Sequence, residues 1–325
     1  MSPEISIILP VRNGLPYVRE AVASLIGQSF HNWEAIIVDD GSTDGTWEFL
    51  RNASEDQRIR PVRNKGRGLT VALNFGLQHA RGSLIARMDS DDVAVHKRLQ
   101  QQKEYLAQHN EIGVVGTCAV VIDAWGNECG EFEMPLNHKA IVEGLLDGST
   151  TLIHPSVMMR RSILNLVDAY DESLEFAQDF DLWLRLADRT RFANMPDRLL
   201  QYRYHGSAVG MERRRRQAQC ALRSVERAYN RMDRTLPEDV RRKLSERAKR
   251  KPNNYITCAK LAIQNGYRGV AWKNLATSIL KFRSPFRATA ILCLTFVPPS
   301  IRRVSGRMRR AIARKVFESV SVCSQ

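Results

Sequence analysis

Three carboxylates crowd one short run, Met88-Asp89-Ser90-Asp91-Asp92. The run follows the apolar segment Ser83-Leu84-Ile85-Ala86, which reads as a buried strand. Carboxylates this close repel one another unless something cationic sits between them. Hard oxygen ligands suit Mg²⁺ or Mn²⁺, ions that keep waters or substrate phosphates in their remaining positions. The run therefore points towards a phosphorylated substrate. Taken alone, Asp-x-Asp is common and reads better as an acidic turn capping the helix that starts near His96. The rest of the N-terminal half decides between the two.

That half alternates strand and helix signals. Short apolar runs begin at Ile5, Trp33, Ile59 and Leu84, and helical spacing runs through 18–26, 43–52 and 69–79. Such alternation predicts an α/β fold with a mixed, mostly parallel sheet and helices on both faces. In such sheets the ligand lies beyond the carboxyl ends of the strands. Three polar clusters fall there: Pro10-Val11-Arg12-Asn13-Gly14, Asp39-Asp40-Gly41-Ser42, and Asp89 to Asp92. The stretch Asn64-Lys65-Gly66-Arg67-Gly68 then opens a helix, and its glycines and cations suit a phosphate cradle. Neither G-x-x-x-x-G-K-[ST] nor G-x-G-x-x-G occurs, which disfavours P-loop and dinucleotide readings.

With these segments assembled, the chain resembles family 2 glycosyltransferases of the GT-A fold. The resemblance is carried by SIILPVRNG (6–14), WEAIIVDDGSTDGT (33–46), NKGRGLTVALNFGLQHARG (64–82) and IARMDSDD (85–92). HPSVMMRRS (154–162), QDFDLWLRLA (178–187) and YRYHGS (202–207) follow in the same order. It implies inverting transfer from a nucleotide-diphosphate sugar, a UDP- or dTDP-sugar, to a hydroxyl of a glycan or lipid-linked acceptor in cell-surface polysaccharide assembly. Residue by residue, it implies that Pro10, Val11, Arg12 and Asn13 border the nucleotide. Asp39 would accept from the base, Arg67 would meet phosphate, and Asp89 would lie near the ribose. Asp91 and His205 would bind a divalent ion, Mn²⁺ or Mg²⁺, and Asp179 would be the catalytic base. The family usually places Glu before that base, where this chain has Gln178, which keeps the hydrogen bonding and loses the charge.

The residue types fit that chemistry. A glycosidic bond to diphosphate breaks as negative charge grows on the leaving oxygen, and a divalent ion stabilises that charge. The acceptor hydroxyl is a poor nucleophile until a carboxylate takes its proton. Unlike a glycosidase, such an enzyme needs one catalytic carboxylate and a metal rather than a carboxylate pair. On residue pattern alone, Asp179 is a helix-start charge favoured by the dipole, and only the resemblance makes it a base. Asp181 supports the helix start or an acceptor pocket. His154 is structural or a pocket wall. His205 is a metal ligand or a solvated loop residue.

Charge is unevenly spread through the 325 residues. Residues 1–205 hold 21 basic and 28 acidic side chains, whereas 206–325 hold 28 basic and 7 acidic. The expected organisation is a catalytic domain over 1–207 and a basic helical region over 208–325. Helical spacing within the latter predicts a hairpin of two helices joined at Asn265-Gly266. A basic tail seeks anionic surfaces. Its apolar stretch from Ala288 to Val297 is about half the ~18–20 residues that span a bilayer, and Pro298-Pro299 stops it. Basic flanks around a short apolar segment suit interfacial binding, so the expected location is the cytoplasmic face of the cell membrane. Few aromatics are interleaved with the charges, which disfavours nucleic acid. The alternative is a non-catalytic module of the same fold that binds membrane or nucleic acid through the tail. Six scattered cysteines without a C-x-x-C pair read as reduced thiols, and the apolar start at Ile5, followed at once by Pro10, reads as a strand rather than a signal peptide.

Overall fold

Side chains on a strand point alternately to opposite faces, and in the first strands both faces are apolar. Ile5, Ile7, Leu9 and Val11 enter one core while Ile8 enters another. Trp33, Ala35 and Ile37 share the first core, and Ile36 and Val38 the second. This is the signature of a sheet covered on both sides. The computed structural model describes residues 2–64, 68–205, 211–249 and 254–282. Their strands are β1 (Ile5–Val11), β2 (Trp33–Asp39), β3 (Ile59–Arg63), β4 (Leu84–Arg87), β5 (Val93–Ala94), β6 (Ile112–Ile122), β7 (Glu128–Phe132), β8 (Met158–Arg160) and β9 (Arg191–Arg203). Their helices are α1 (Val18–Ile26), α2 (Thr46–Ala53), α3 (Leu69–His79), α4 (Arg98–Gln108), α5 (His138–Leu146), α6 (Arg161–Leu164), α7 (Gln178–Leu186), α8 (Met211–Arg231), α9 (Glu238–Lys249), α10 (Asn254–Gln264) and α11 (Arg268–Phe282).

The sheet runs β3-β2-β1-β4-β8-β6-β9-β5, with β7 paired to β6. β3, β2, β1 and β4 are mutually parallel, and their carboxyl ends make one edge. β8 then pairs antiparallel with both β4 and β6. The mixed, helix-covered sheet is the one the strand–helix alternation predicts. The second helix starts three residues later than its spacing suggests. Asp44 accepts from the backbone N–H of Thr46 at 3.1 Å and from its hydroxyl at 2.6 Å, and Gly45 takes a left-handed φ of 88°, so 43–45 form the entry turn.

The amino edge of the parallel strands is pinned by a buried carboxylate. Glu34 accepts from Ser6 Oγ at 2.7 Å, Arg81 N at 2.8 Å and Arg81 Nε at 2.9 Å, and pairs with Arg60 at 2.5 Å. Buried charge is tolerated when fully paired in this way. A Cβ at Gly82 would come within 2.6 Å of Ser6 N, so this crossing admits only glycine.

The chain divides into two compact units. The first comprises Met1–Val120, Phe132–Arg203 and Val209–Pro252. Within it, Val225 and Ala228 of α8 and Val240 and Leu244 of α9 join the second core alongside Trp183 and Leu186 of α7. The boundary expected at 207 thus falls ahead of two helices whose apolar stripes pack in the first unit. The second unit comprises Val121–Glu131, Tyr204–Ala208 and Asn253–Gln325. There α10 and α11 form the hairpin predicted from the sequence, closed by Tyr267 N donating to Ala262 O at 2.8 Å, with Gly266 at φ 84°. Among the described residues no helix is long and apolar enough to cross a membrane. The apolar stretch at 288–297 and the basic end of the chain lie outside the described residues.

Leu244 is 1 % exposed and lies 2.8 Å from where a Cβ on Gly148 would stand. Leu244→Ala is expected to destabilise the first unit by about 2–5 kcal/mol in urea titration. A change within about 0.5 kcal/mol would show α9 to be a loose appendage.

Candidate active site

The carboxyl edge is built from the loops after β1, β2, β3 and β4. After β1 the chain turns through Asn13 at φ 50°. Asn13 N donates to Ser42 Oγ at 2.9 Å, and Asn13 Oδ1 accepts from Thr43 N at 2.8 Å. Gly14 N donates to Thr46 Oγ1 at 2.9 Å, and a Cβ on Gly14 would stand 2.4 Å from Val11 Cγ2. Pro10 and Val11 are the buried last residues of β1, and the turn of Arg12 and Asn13 after them is thereby laced to the loop after β2. Arg12 and Asn13 are exposed at its rim.

Asp39, at the end of β2, is fully buried. It accepts from Ser42 N at 3.1 Å and from Arg63 Nε at 3.1 Å, while the half-exposed Arg63 guanidinium lies over the Trp47 ring. Asp40 accepts from Asn64 Nδ2 at 2.9 Å and Gly68 N at 3.0 Å. It therefore ties together the two flanks of the segment that carries Arg67. Arg67 itself lies outside the described residues.

At the end of β4 the acidic run becomes a cluster. Carboxylate oxygens of Asp89, Asp91 and Asp92 lie within 4.8 Å of one another. Arg87 is 3 % exposed and pairs with Asp89 at 2.5 Å. Burial opposes its charge, but Asp89 beside it holds its pKa above the ordinary arginine value. Asp92 is 1 % exposed, and its Oδ1 accepts from Arg203 N at 2.8 Å. Arg203 Nε also donates to the Asp91 carbonyl at 2.7 Å, and its guanidinium pairs with Glu20. Burial, then repulsion from Asp91 and Asp89, pushes the Asp92 carboxyl well above the usual range. Asp92 Oδ2 has no hydrogen-bond partner among the described residues. An orphaned carboxylate oxygen beside two others is a donor set that fits a small divalent cation.

Asp179 sits in the first turn of α7, where Ala177 takes a left-handed φ of 56° to start the helix. Its half-buried carboxyl is pushed up by burial and by Asp89, against the pull of the Phe180 N–H and of Arg87. The repulsion from Asp89 and the attraction of Arg87 show that Asp179 lies within electrostatic reach of the acidic run, 90 residues earlier in the chain. Asp181, by contrast, is 2 % exposed and paired to Arg185 at 2.6 Å, and Arg185 also donates to the carbonyls of Val167 and Ala169. Its place is structural. His154 is buried, and its Nε2 lies 2.8 Å from Tyr170 Oη; burial and Arg87 hold its pKa well below the usual histidine range. A neutral ring in edge contact with Trp183 is a packing element. His205 belongs to the second unit, where its carbonyl accepts from Asn254 Nδ2 at 2.8 Å.

Sequence reasoning gave Arg87 and Arg203 no role and named Asp40 only as a member of a polar cluster. Arg87 is a charge inside an otherwise apolar strand, a signal that was available. Arg203 lies 111 residues from the Asp92 it supports and carries no local signal.

This architecture is that of GT-A glycosyltransferases. The structure superposes on Staphylococcus aureus TarS 1-349 with a TM-score of 0.55 at 16 % identity, covering 90 % of this chain and 88 % of that one. On the mannosyltransferase PcManGT of Pyrobaculum calidifontis, solved with GDP-Man and Mn²⁺, the TM-score is 0.54 at 19 % identity, covering 90 % and 79 %. The sequence pattern described as Glycosyl transferase family 2 matches residues 6–167. The Bacillus subtilis protein named "Putative glycosyltransferase EpsE" is 33 % identical over 213 residues, 63 % of this chain and 75 % of EpsE. The O-antigen biosynthesis glycosyltransferase WbnJ of Escherichia coli is 30 % identical over 212 residues, 63 % of this chain and 81 % of WbnJ. The chain belongs to glycosyltransferase family 2 and is an enzyme of that class.

The two carboxylates flanking Ser90 should differ in what they do for stability. Removing Asp89 strands a buried guanidinium, so Asp89→Ala is expected to lower stability by about 3 kcal/mol. Asp91→Ala relieves repulsion and is expected to stay within about 1 kcal/mol of wild type. Equal unfolding midpoints for the two variants would refute the assigned pairing.

Proposed function

We propose that the protein transfers a sugar, with inversion, from a nucleotide-diphosphate sugar to a hydroxyl of a glycan or lipid-linked acceptor. The observation that carries this reading is the pairing of a crowded acidic cluster at the end of β4 with a separate, burial-tuned carboxylate, Asp179. The acceptor hydroxyl gives its proton to Asp179 as its oxygen bonds the anomeric carbon. The bond from that carbon to the diphosphate breaks, and the nucleoside diphosphate leaves with the electron pair. Asp91, with Asp89 and Asp92 beside it, would hold a divalent ion, Mn²⁺ or Mg²⁺, which when bound offsets the charge on the diphosphate.

The loop Pro10–Asn13, Asp39 and Arg67 are proposed as the nucleotide side, with Asp89 near the ribose. A carboxylate beside the base suits the N3–H of uracil or thymine, so a UDP- or dTDP-sugar is the preferred donor. TarS has been solved with UDP-GlcNAc, which supports a uridine donor in this fold. WbnJ is named for O-antigen biosynthesis, which supports a role in surface polysaccharide assembly. The basic C-terminal part, 28 basic to 7 acidic residues, suits attachment to the anionic inner face of the cell membrane, where a lipid-linked acceptor is presented.

A panel of UDP-, dTDP- and GDP-sugars, incubated with and without Mn²⁺, tests the reading. Wild type is expected to hydrolyse one donor slowly in a metal-dependent manner, and Asp91→Asn to lose this at least about 100-fold. Indifference of all donors to protein and metal would overturn it. Asp179→Asn is expected to lower transfer about 10²–10⁴-fold while donor affinity holds. Because the Asp179 carboxyl is raised and must be ionised to act, transfer should fall on acidification at a pH above the ordinary aspartate range. A carboxyl raised on folding costs stability above its unfolded pKa, so Asp179→Asn should melt at or above the wild-type temperature at neutral pH. A lower melting temperature would mean that Asp179 is a helix cap.

A further inference from the structure

Among the described residues, the large aromatic side chains that stand exposed are Trp125, Tyr267 and Trp272, and all three belong to the second unit. They are 46 %, 42 % and 41 % exposed. Exposed apolar surface gathered in one place marks an interaction site, whereas scattered single side chains do not. Here the fold gathers them around the β6–β7 turn and the first turns of α11. Asp123 is fully buried and accepts from the backbone N–H of Trp125 at 2.9 Å and of Asn127 at 3.0 Å. Its other oxygen accepts from Asn274 Nδ2 of α11 at 2.9 Å. A buried carboxylate so fully used fixes the turn against the helix. The turn holds the Trp125 ring out beside α11, where Lys273 Nζ lies 4.1 Å from its centroid. Three residues on, Glu128 Oε2 lies 3.5 Å from Tyr267 Oη. Trp272 and Lys273 follow one another on the outward side of α11, opposite the buried Ala271, Asn274, Leu275 and Ser278. Lys260 and Arg268 are exposed in the same unit.

We propose that Trp125, Tyr267 and Trp272 form a docking surface for an anionic lipid bilayer, their rings seated at headgroup level while Lys260, Arg268 and Lys273 meet the lipid phosphates. The inference rests on the reading that the basic C-terminal part attaches to a membrane, and it names the groups that enter the lipid. Charge complementarity selects the partner: residues 253–325 carry 13 basic side chains and 1 acidic one. Indole and phenol rings are apolar bodies with one polar edge, a shape that settles between headgroups and acyl chains. A lysine packed on such a ring lays its stem on apolar surface and leaves its ammonium free to reach phosphate. Charge alone would hold the unit near the bilayer only at low salt. Buried aromatic area adds an attraction that salt does not screen. A single-stranded nucleic acid would also stack on these rings. It would leave the apolar stretch from Ala288 to Val297, next along the chain, without a place, whereas a bilayer gives it one.

The full-length protein is sedimented with vesicles of phosphatidylcholine containing about 30 % phosphatidylglycerol. Wild type is expected to sediment, and its tryptophan fluorescence to be quenched when the phosphatidylcholine acyl chains are brominated. Trp125→Phe and Trp272→Phe should each remove part of that quenching with the melting temperature preserved. The remaining tryptophans, Trp33, Trp47 and Trp183, belong to the first unit and should contribute none of it. Trp125→Ser and Trp272→Ser should each weaken partitioning about five-fold, the loss expected for withdrawing half a large apolar side chain from lipid. Sedimentation without quenching, or with the same quenching and partitioning in all four variants, overturns the surface and leaves attachment through the basic tail standing. No sedimentation overturns the surface together with the membrane reading. Single-stranded DNA of about 20 nucleotides is the remaining probe. If it quenches Trp125 and Trp272 where brominated lipid does not, the surface belongs to nucleic acid and the proposal falls.

Discussion

The mutual repulsion of Asp89, Asp91 and Asp92 is the constraint around which the rest of this structure is arranged. Three carboxylates within 4.8 Å of one another, one of them buried, would not persist on a bare strand end. They are held from beneath by Arg87, the last residue of β4, and from the side by Arg203, the last residue of β9. Arg98 completes the support: its buried guanidinium donates to the Arg87 carbonyl at 2.7 Å. Three arginines from three elements thus fix the acidic run while leaving one Asp92 oxygen without a hydrogen-bond partner among the described residues. The compensation is incomplete, and that is what makes the cluster fit for a cation rather than a closed salt-bridge network.

The two edges of the parallel strands show the contrast. At the amino edge Glu34 is fully satisfied, and the combined hydrogen bonds of Arg81, Ser6 and Arg60 outweigh burial and hold its carboxyl below the usual range. At the carboxyl edge, Asp92 is displaced upward, as is Asp179 beyond it. A carboxylate that is fully paired contributes stability, whereas one left partly unpaired in a desolvated place costs stability and gains basicity. One edge of the sheet therefore carries a carboxyl held down by its partners, whereas at and beyond the other edge burial and repulsion raise the carboxyls. The intervening apolar layers keep the two charge systems apart.

Much of this was legible in the chain. The two-faced apolar strands, the three loop clusters at one edge, and the Asp-x-Asp run all follow from spacing that a single strand or helix enforces. The entry turn at Asp44 shifted a helix start because a side-chain cap competes locally with helix formation, which periodicity does not register. His154 offered a titratable ring next to a proline, yet its pKa is held down by burial and by Arg87 from elsewhere in the fold. Asp181, read from the sequence as support for the helix start or for an acceptor pocket, is the anchor of Arg185, because two steps along a helix turn a side chain by about 200° from Asp179 into a different environment.

What the sequence determined by itself was therefore everything with a short range: the fold class, the order of elements, the acidic run, and the family-like loops. It also placed Asp179 at a helix start, although it could not separate a cap from a base. The tertiary structure alone decided which charges answer which. Arg203 meets Asp92, and Arg87 and Asp89 act on Asp179. The physical reason is that pairing energy and desolvation depend on distance in space, and the chain must close its loops before residues so far apart in sequence can feel one another.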